Sequence, residues 1–532
     1  MTTDTDTDTT NKADKSGRLS VLLAAAMFVL VIDTSMMNVS ISAIVNDLGT
    51  TVSNIQATIA LEALVSAAFI LIGSKVGDLY GRKRAYILGL MGYALGAIAM
   101  TLTQSLTWVI IFWAIIGGLG ASLLLPAMQS LVHGNFEGEA QKRAYALVGA
   151  AAAVAAAVGP LLGGFITTYL SWRVGFLLEF VIIAIVLVNI KLVKDTPYTG
   201  SRQVDLVGAV LSVLGMGGIV LSILAWQEGG EAVGLLMAIG VVAMAVFAYW
   251  LSRRKKQDKP TLLDPRLFSS QYFRLGISGQ TLQNIALGGM MIALPIYFQM
   301  VFEYTAMQTG LAIAPLSLSM FAVALLAGRR AGNHRPSSII RAGFALLSLG
   351  VILMIPLIPR ADSGLIFAIP LVITGAGLGL LVSQLNNYTL APISEERVSE
   401  AAGVNSAGGS FGLSFGLAFA GAMMLATLAI SFTNMSESSL ILVPDEQAQV
   451  AQALEEDAQI MSNTQLEAQL AGQPEDVQAE IIRINTEARH IALQVALMIP
   501  LLAGLLGLFN AIRMVRLPEP EPANSGEGLV LG

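Results

Sequence analysis

The sequence predicts an all-α integral membrane protein, and three observations predict it. The chain of 532 residues is 55% hydrophobic and 12% charged, with a mean hydropathy of +0.70, far outside soluble composition. Its apolar residues gather in about fourteen runs, each near the ~20 residues that cross ~30 Å of hydrocarbon. The polar stretches between the runs alternate between those rich in Lys and Arg and those with neither. Barrel strands would alternate every second residue over ~10 positions; these runs are longer and do not alternate. There is no cysteine, so neither a disulfide framework nor a thiolate metal site is available.

The elements follow in order. Spans are expected near 19–43, 54–74, 85–105, 107–131, 144–168, 174–193, 205–226, 232–251, 274–298, 307–328, 338–358, 363–386, 403–431 and 490–514. Basic clusters stand at Lys12, Lys15 and Arg18, at Arg82–Arg84, Lys142–Arg143, Lys191–Arg202, Arg253–Lys256, Arg329–Arg335, Arg397 and Arg513–Arg516. The alternate connections, around 47–54, 103–106, 227–231 and 303–307, carry no Lys or Arg. Arg173, Arg360, Arg483 and Arg489 depart from the pattern. By the positive-inside rule both termini face the cytoplasm of an inner membrane, which requires an even number of spans. Residues 1–17 lack a basic n-region and a cleavage site, so span 1 is expected as an uncleaved anchor. The stretch from Arg253 to Arg274, with Pro260 and Pro265, reads as the hinge before the second half. The connection 433–489 carries eleven acids against two arginines. Its stretches 445–471 and 475–489, broken by Gly472 and Pro474, read as two outer helices.

Two motifs bear on mechanism. Span 5 contains Gly149 and a run of alanines before Gly159-Pro160-Leu-Leu-Gly163-Gly164. Small residues let helices approach closely in lipid, and Pro160 bends its helix. After span 2, Asp78 and Gly81 precede Arg82, Lys83 and Arg84, an acid and a cationic cluster able to latch against a neighbouring helix end. A plain topogenic loop is the bland alternative, as tight packing is for span 5.

Acids within spans are costly and therefore functional candidates. Asp33 lies roughly ten residues from the outer end of span 1 and Glu62 roughly eight from that of span 2; at ~1.5 Å per residue their depths agree within ~5 Å. They are expected to share a polar pocket and exchange protons, with Glu179 in span 6 as a third candidate. The bland reading is a structural hydrogen-bond network of Asp33 with Thr34 and Asn38. In the second half Gln283 and Asn284 are expected to orient a substrate or to bond helices together.

Taken together these residues resemble the major facilitator superfamily, specifically its fourteen-helix drug:proton antiporters. The resemblance rests on Ile32-Asp33-Thr34-Ser35 through Val39 in span 1, the loop 74–84, and Gly159–Gly164 followed by Ser171-Trp172-Arg173. The stretches Val204–Gly208 and Gly403–Gly416 add to it. It implies two six-helix bundles, 19–195 and 257–515, with two inserted helices in 196–256 and tails at 1–18 and 516–532. It also implies substrate binding between the bundles near the midplane, and alternating access. In the run Ala114–Ala121 the family's helix 4 Arg and Gln are both missing. No nearby group is therefore expected to hold Asp33 ionised.

The function expected is proton-coupled efflux of amphipathic, often cationic compounds, with the proton gradient and no cofactor, enzymatic activity or nucleic-acid partner. Adaptable Met-rich walls suit it. Export of a dedicated endogenous lipid or secondary metabolite is the alternative. A further one is an envelope scaffold that docks a partner through 433–489. The chain has no Gly-Lys pair, hence no ordinary phosphate loop to bind ATP.

Overall fold

The computed structural model describes residues 4–136, 138–195, 205–227, 230, 232–329, 335–393, 395–443, 447, 450 and 463–518. Among the described residues the regular structure is entirely helical. Helix α1 (Asp4–Val39) ends at Ser40, and a short α2 (Ile41–Leu48) follows. The expected single run to residue 43 breaks there. The Ser40 hydroxyl bonds back to the Met36 carbonyl at 2.7 Å and meets Thr167 Oγ1 at 2.7 Å, giving the backbone a competitor to the helical ladder. Gly49 closes α2 at φ 59°, a left-handed cap that costs glycine nothing. Thr51 then caps α3 (Val52–Tyr80) by accepting the Asn54 N–H at 3.2 Å.

Next come α4 (Arg82–Leu102), a π-helical stretch Val109–Gly117 that runs into α5 (Gly118–Asn135), then α6 (Gly138–Tyr169) and α7 (Trp172–Val188). The inserted pair is α8 (Leu206–Gln227) and α9 (Val233–Lys256). The second half holds α10 (Gln271–Val301), α11 (Ala306–Arg329), α12 (Pro336–Met354), α13 (Ala368–Leu390) and α14 (Glu395–Glu437). It closes with α15 (Asn463–Gln469), α16 (Glu475–Ala496) and α17 (Met498–Val515). Among the described residues, 13 helical segments are long and apolar enough to cross a membrane. Helix α7, with 17 residues, is at the short end of the spanning range and completes the fourteen expected.

Two boundaries differ from expectation. Helix α14 reaches 43 residues, well past the expected 403–431. The last span does not start afresh near 490: α16 leads into it through Leu497. Pro500 lacks an N–H and its ring opposes the Ala496 carbonyl, which accounts for the break between α16 and α17. Of the two expected outer helices, most of the first (451–462) lies outside the described residues.

In the first half α1 packs on α6 and α7, α4 packs on α3, α5 and α7, and α5 packs on α3. In the second half α10 packs on α14 and α17, and α11 and α12 pack on α13. These are two six-helix bundles. They meet along two seams, α3 against α14 and α6 against α11. Inserted helix α8 touches both α3 and α14, while α9 packs mainly on α8.

Glycine makes the seam between α6 and α11 possible. A Cβ on Gly164 of α6 would stand 2.5 Å from the Ala306 carbonyl oxygen and 2.8 Å from Met307 Cα on α11. Gly310 of α11 lies against the Pro160 carbonyl in the same way. Hydrogen bonds between the halves gather at the face opposite the termini. Gln299 Nε2 donates to the Val39 carbonyl at 3.0 Å, Ser42 N–H donates to Gln299 Oε1 at 3.2 Å, and Met307 N–H donates to Thr168 Oγ1 at 3.0 Å. Deeper in the seam, Ser414 Oγ donates to the Ala60 carbonyl at 2.7 Å.

On the terminal face the segment from 257 to 270 is a docked strap. Leu262, Leu263 and Leu267 are buried in the core. Buried Asp205 accepts from Gly208 N–H and Trp250 Nε1, each at 3.0 Å. Asp264 accepts from Lys255 Nζ at 2.8 Å and pairs with Arg397 at 3.3 Å, while its own N–H donates to Glu400 at 2.6 Å. The expected hinge is therefore a clasp joining α9 to α14.

Two predictions follow from this packing. Gly164→Ala should cost about 1–3 kcal/mol through overpacking, read as a lower melting temperature in detergent. Gly149→Ala, which meets nothing within 4 Å, should leave the melting temperature unchanged. For the clasp, burial alone would raise the Asp264 carboxyl. The Lys255 hydrogen bond, the Arg266 N–H and the charges of Lys255 and Arg397 outweigh it and hold the group below its ordinary 3.8. A lowered value means the contribution is complete above 3.8 and fades only as pH falls through the lowered value. Asp264→Asn should accordingly cost about 0.2–1 kcal/mol, the range for partly exposed pairs. The difference should be constant from pH 7 to 5 and shrink in high salt.

Candidate functional site

A cavity of about 340 Å³ lies between the two halves. Helices α1, α3, α5 and α6 line it from one side with Thr34, Ser35, Glu62, Ser66 and Pro160. From the other side α10, α11 and α14 supply Asn284, Met291, Ser317, Met320 and Ser410. The rest of the wall is aliphatic. Among the described lining residues Glu62 is the one ionisable side chain. Asn38 borders a smaller adjoining space with Ser35, Pro160 and Met291.

Asp33 is placed differently from expectation. It does not line the cavity but lies behind it, 1% exposed, within the first bundle. Nor is it without support: the Tyr93 hydroxyl of α4 donates to Oδ2, and Trp113 Nε1 donates to both carboxylate oxygens at 3.0 Å. Sequence reading missed both donors, because neither stands in a motif. The signal present was Trp113 itself, adjacent to the run 114–121 in which a donor to Asp33 was sought.

Glu179 of α7 is 3% exposed, and among the described residues neither of its carboxyl oxygens has a hydrogen-bond partner. A partnerless carboxylate anion there would cost several kcal/mol. Asp33 is within electrostatic reach of both Glu62 and Glu179, and all three reach Tyr93. The three candidate acids thus form one cluster, with Glu62 facing the cavity and the others enclosed.

The amides separate. Asn284 lines the cavity and donates Nδ2 to the Gln280 carbonyl at 2.9 Å, whereas Gln283 is buried beside the lining with Oε1 unpartnered. Along α6 the motif glycines serve contact. A Cβ on Gly159 would meet Ser35 Cβ at 2.5 Å, and one on Gly163 would meet Met36 Cα at 2.8 Å. In the loop after α3, Gly81 takes φ 104°, and a Cβ there would stand 2.7 Å from Asp195 Oδ2. The Lys83 N–H donates to Asp195 Oδ1 at 3.1 Å. The carboxylate engaged by this loop is thus Asp195 from beyond α7, a residue the sequence reading passed over. The Asp78 side chain lies outside the described residues; Arg82 and Arg84 flank Lys83 at the start of α4.

On the opposite face, part of the 433–489 segment is tied to the second half. Thr464 donates from N–H and Oγ1 to the Glu303 carboxylate at 2.8 and 2.7 Å, and Arg489 Nη1 donates to the Met300 carbonyl at 2.6 Å, while within the segment Ser439 Oγ donates to Glu480 at 2.7 Å.

Two helical bundles meeting over a mostly apolar cavity, with a carboxyl group in its wall, define a multi-pass membrane transporter of small molecules. A family model of the Major Facilitator Superfamily matches residues 23–214 and 204–417. The chain belongs to that superfamily. It is 27% identical over 434 residues to the multidrug resistance protein Stp of Mycobacterium tuberculosis, covering 80% of this chain and 79% of that one. It is 26% identical to the multidrug export protein EmrB of Escherichia coli (73% and 76% covered) and 25% identical to a probable actinorhodin transporter of Streptomyces coelicolor (73% and 69%). These relatives agree with the drug-efflux resemblance read from spans 1, 5 and 13. Among solved structures, a bacterial homologue of the human lysosomal transporter Spinster, inward-facing and unoccupied, shares the fold. Its TM-score is 0.62 at 11% identity, covering 94% of this chain and 98% of that one.

Proposed function

We propose that this transporter exports amphipathic monocations from the cytoplasm in exchange for protons, by alternating access of the cavity between its halves. The observation that carries this reading is the cavity lining: apolar walls with Met27, Met291 and Met320, several hydroxyls, and Glu62 as the sole ionisable group among the described lining residues. Its size suits a small organic ligand. A lipophilic cation and a proton both neutralise Glu62, and they compete for it. Binding one releases the other, which is the elementary requirement for exchange. Asp33 and Glu179, enclosed behind Glu62, set the electrostatic field in which it takes up and gives up its proton. The names of the relatives, which speak of multidrug resistance and export, favour drug-like substrates.

In this reading the chain lies in the cytoplasmic membrane with its termini inside, and the described parts of the 433–489 segment lie on the outer face. The acidic lid is favoured over an envelope docking site because Thr464 and Arg489 tie it back onto the protein's own Glu303 carboxylate and Met300 carbonyl.

Inverted membrane vesicles energised to an acidic interior test the exchange. Tetraphenylphosphonium added to vesicles with the wild-type protein should dissipate the pH gradient. Glu62→Gln should abolish the response, and Asp33→Asn should reduce it at least tenfold. Full dissipation by Glu62→Gln would refute the assignment. The absence of native cysteine allows a separate test of orientation. A cysteine replacing Asp258 should be labelled by an impermeant maleimide in inverted vesicles but not in intact cells, and one replacing Gly472 should show the reverse.

A further inference from the structure

We infer that Trp113 is a positioning residue of the ion-exchange site, swung onto Asp33 by the π-helical stretch that precedes α5, and that with Tyr93 it fixes Asp33 as the permanent electrostatic neighbour of Glu62. The inference deepens the exchange reading above and rests on Asp33 belonging to that site.

Three observations meet at this residue. Trp113 lies at the centre of Val109–Gly117, nine residues of π-helix in an otherwise α-helical span. A π-turn inserts an extra residue into the ladder, rotating what precedes it by about 100° relative to an uninterrupted α-helix. Such insertions are rare within α-helices and frequently fall at functional sites. The rotated indole is 2% exposed, and its N–H stands 3.0 Å from each Asp33 oxygen. Finally, the Tyr93 hydroxyl approaches the same carboxylate from α4, so that donors from two helices converge on a third.

An ordinary core tryptophan would satisfy its N–H on any nearby carbonyl. Here it is spent, with the tyrosine hydroxyl, on one embedded acid. Hydrogen bonds to a carboxylate favour its anionic form and are stronger than neutral ones. The titratable groups facing Asp33 are Tyr93 on α4, Glu62 on α3 and Glu179 on α7. Among the described residues no Lys, Arg or His bonds to any of the three acids. Two uncharged donors therefore do the work of a cation without adding positive charge beside a cavity that takes cations.

Infrared difference spectra of the purified protein, titrated with acid in detergent, test this without requiring transport. The carbonyl band of protonated Asp33 is identified by its loss in Asp33→Asn. Trp113→Phe should move the pH at which that band appears by about one unit, the equivalent of one charge-assisted hydrogen bond. Tyr93→Phe, which removes a single oxygen and keeps the ring, should move it in the same sense. A band appearing at the wild-type pH in both variants overturns the inference and assigns Trp113 to packing. The vesicle assay is independent. A shifted band alongside unimpaired exchange in Glu62→Gln would sink the exchange reading and leave the positioning of Asp33 standing.

Discussion

Close approach of backbones in lipid is the constraint on which the rest of this molecule depends. Hydrocarbon offers no hydrophobic drive between helices, so packing and interhelical hydrogen bonds must hold them together. The chain meets this with side chains that are missing. Gly89 and Gly120 bring α4 onto α5, Gly159 and Gly163 bring α6 onto α1, and Gly412 and Gly416 bring α14 onto α10. Gly164 and Gly310 do the same between the two halves. Where such pairs occur the backbones touch. Where larger or polar side chains intervene, between α1, α3 and α6 on one side and α10, α11 and α14 on the other, the halves part around the cavity.

That seating also explains how the acids are graded. Three carboxyl groups lie within reach of one tyrosine, yet each has a different surrounding. Glu62 meets the cavity, Asp33 accepts from two donors, and Glu179 has none among the described residues. Like groups in unlike settings are the ordinary way a site separates the tasks of binding a proton and shaping its affinity. The Met-lined wall, by contrast, is undemanding in shape and adapts to its ligand.

Much of this was legible in the sequence, for reasons tied to distance along the chain. Span lengths and the alternation of Lys and Arg follow local rules, so the fourteen helices could be counted. The Gly159–Gly164 motif announced a tight contact, and the two carboxylates of spans 1 and 2 announced a cluster. What was not legible depends on rotation and long-range pairing. Nothing in a linear reading shows that a π-turn aims Trp113 across 80 positions at Asp33. Nor does it show that Asp195 would close on Gly81 and Lys83, or that an expected hinge would be pinned through Asp264 to Arg397. The cost of Pro500 to the α16–α17 junction was readable in principle. It was passed over because the apolar run continues through it.

The fastenings on the two faces differ in kind. Opposite the termini the halves are joined by neutral groups, the Gln299 amide, backbone N–H and carbonyl groups, and the Thr168 hydroxyl. On the terminal face the strap is held by Asp264, Lys255 and Arg397. Dissolved ions screen charges at the surface but leave neutral hydrogen bonds almost untouched. The join facing away from the termini therefore answers little to the salt on its side, while the strap on the terminal face loosens as its charges are screened.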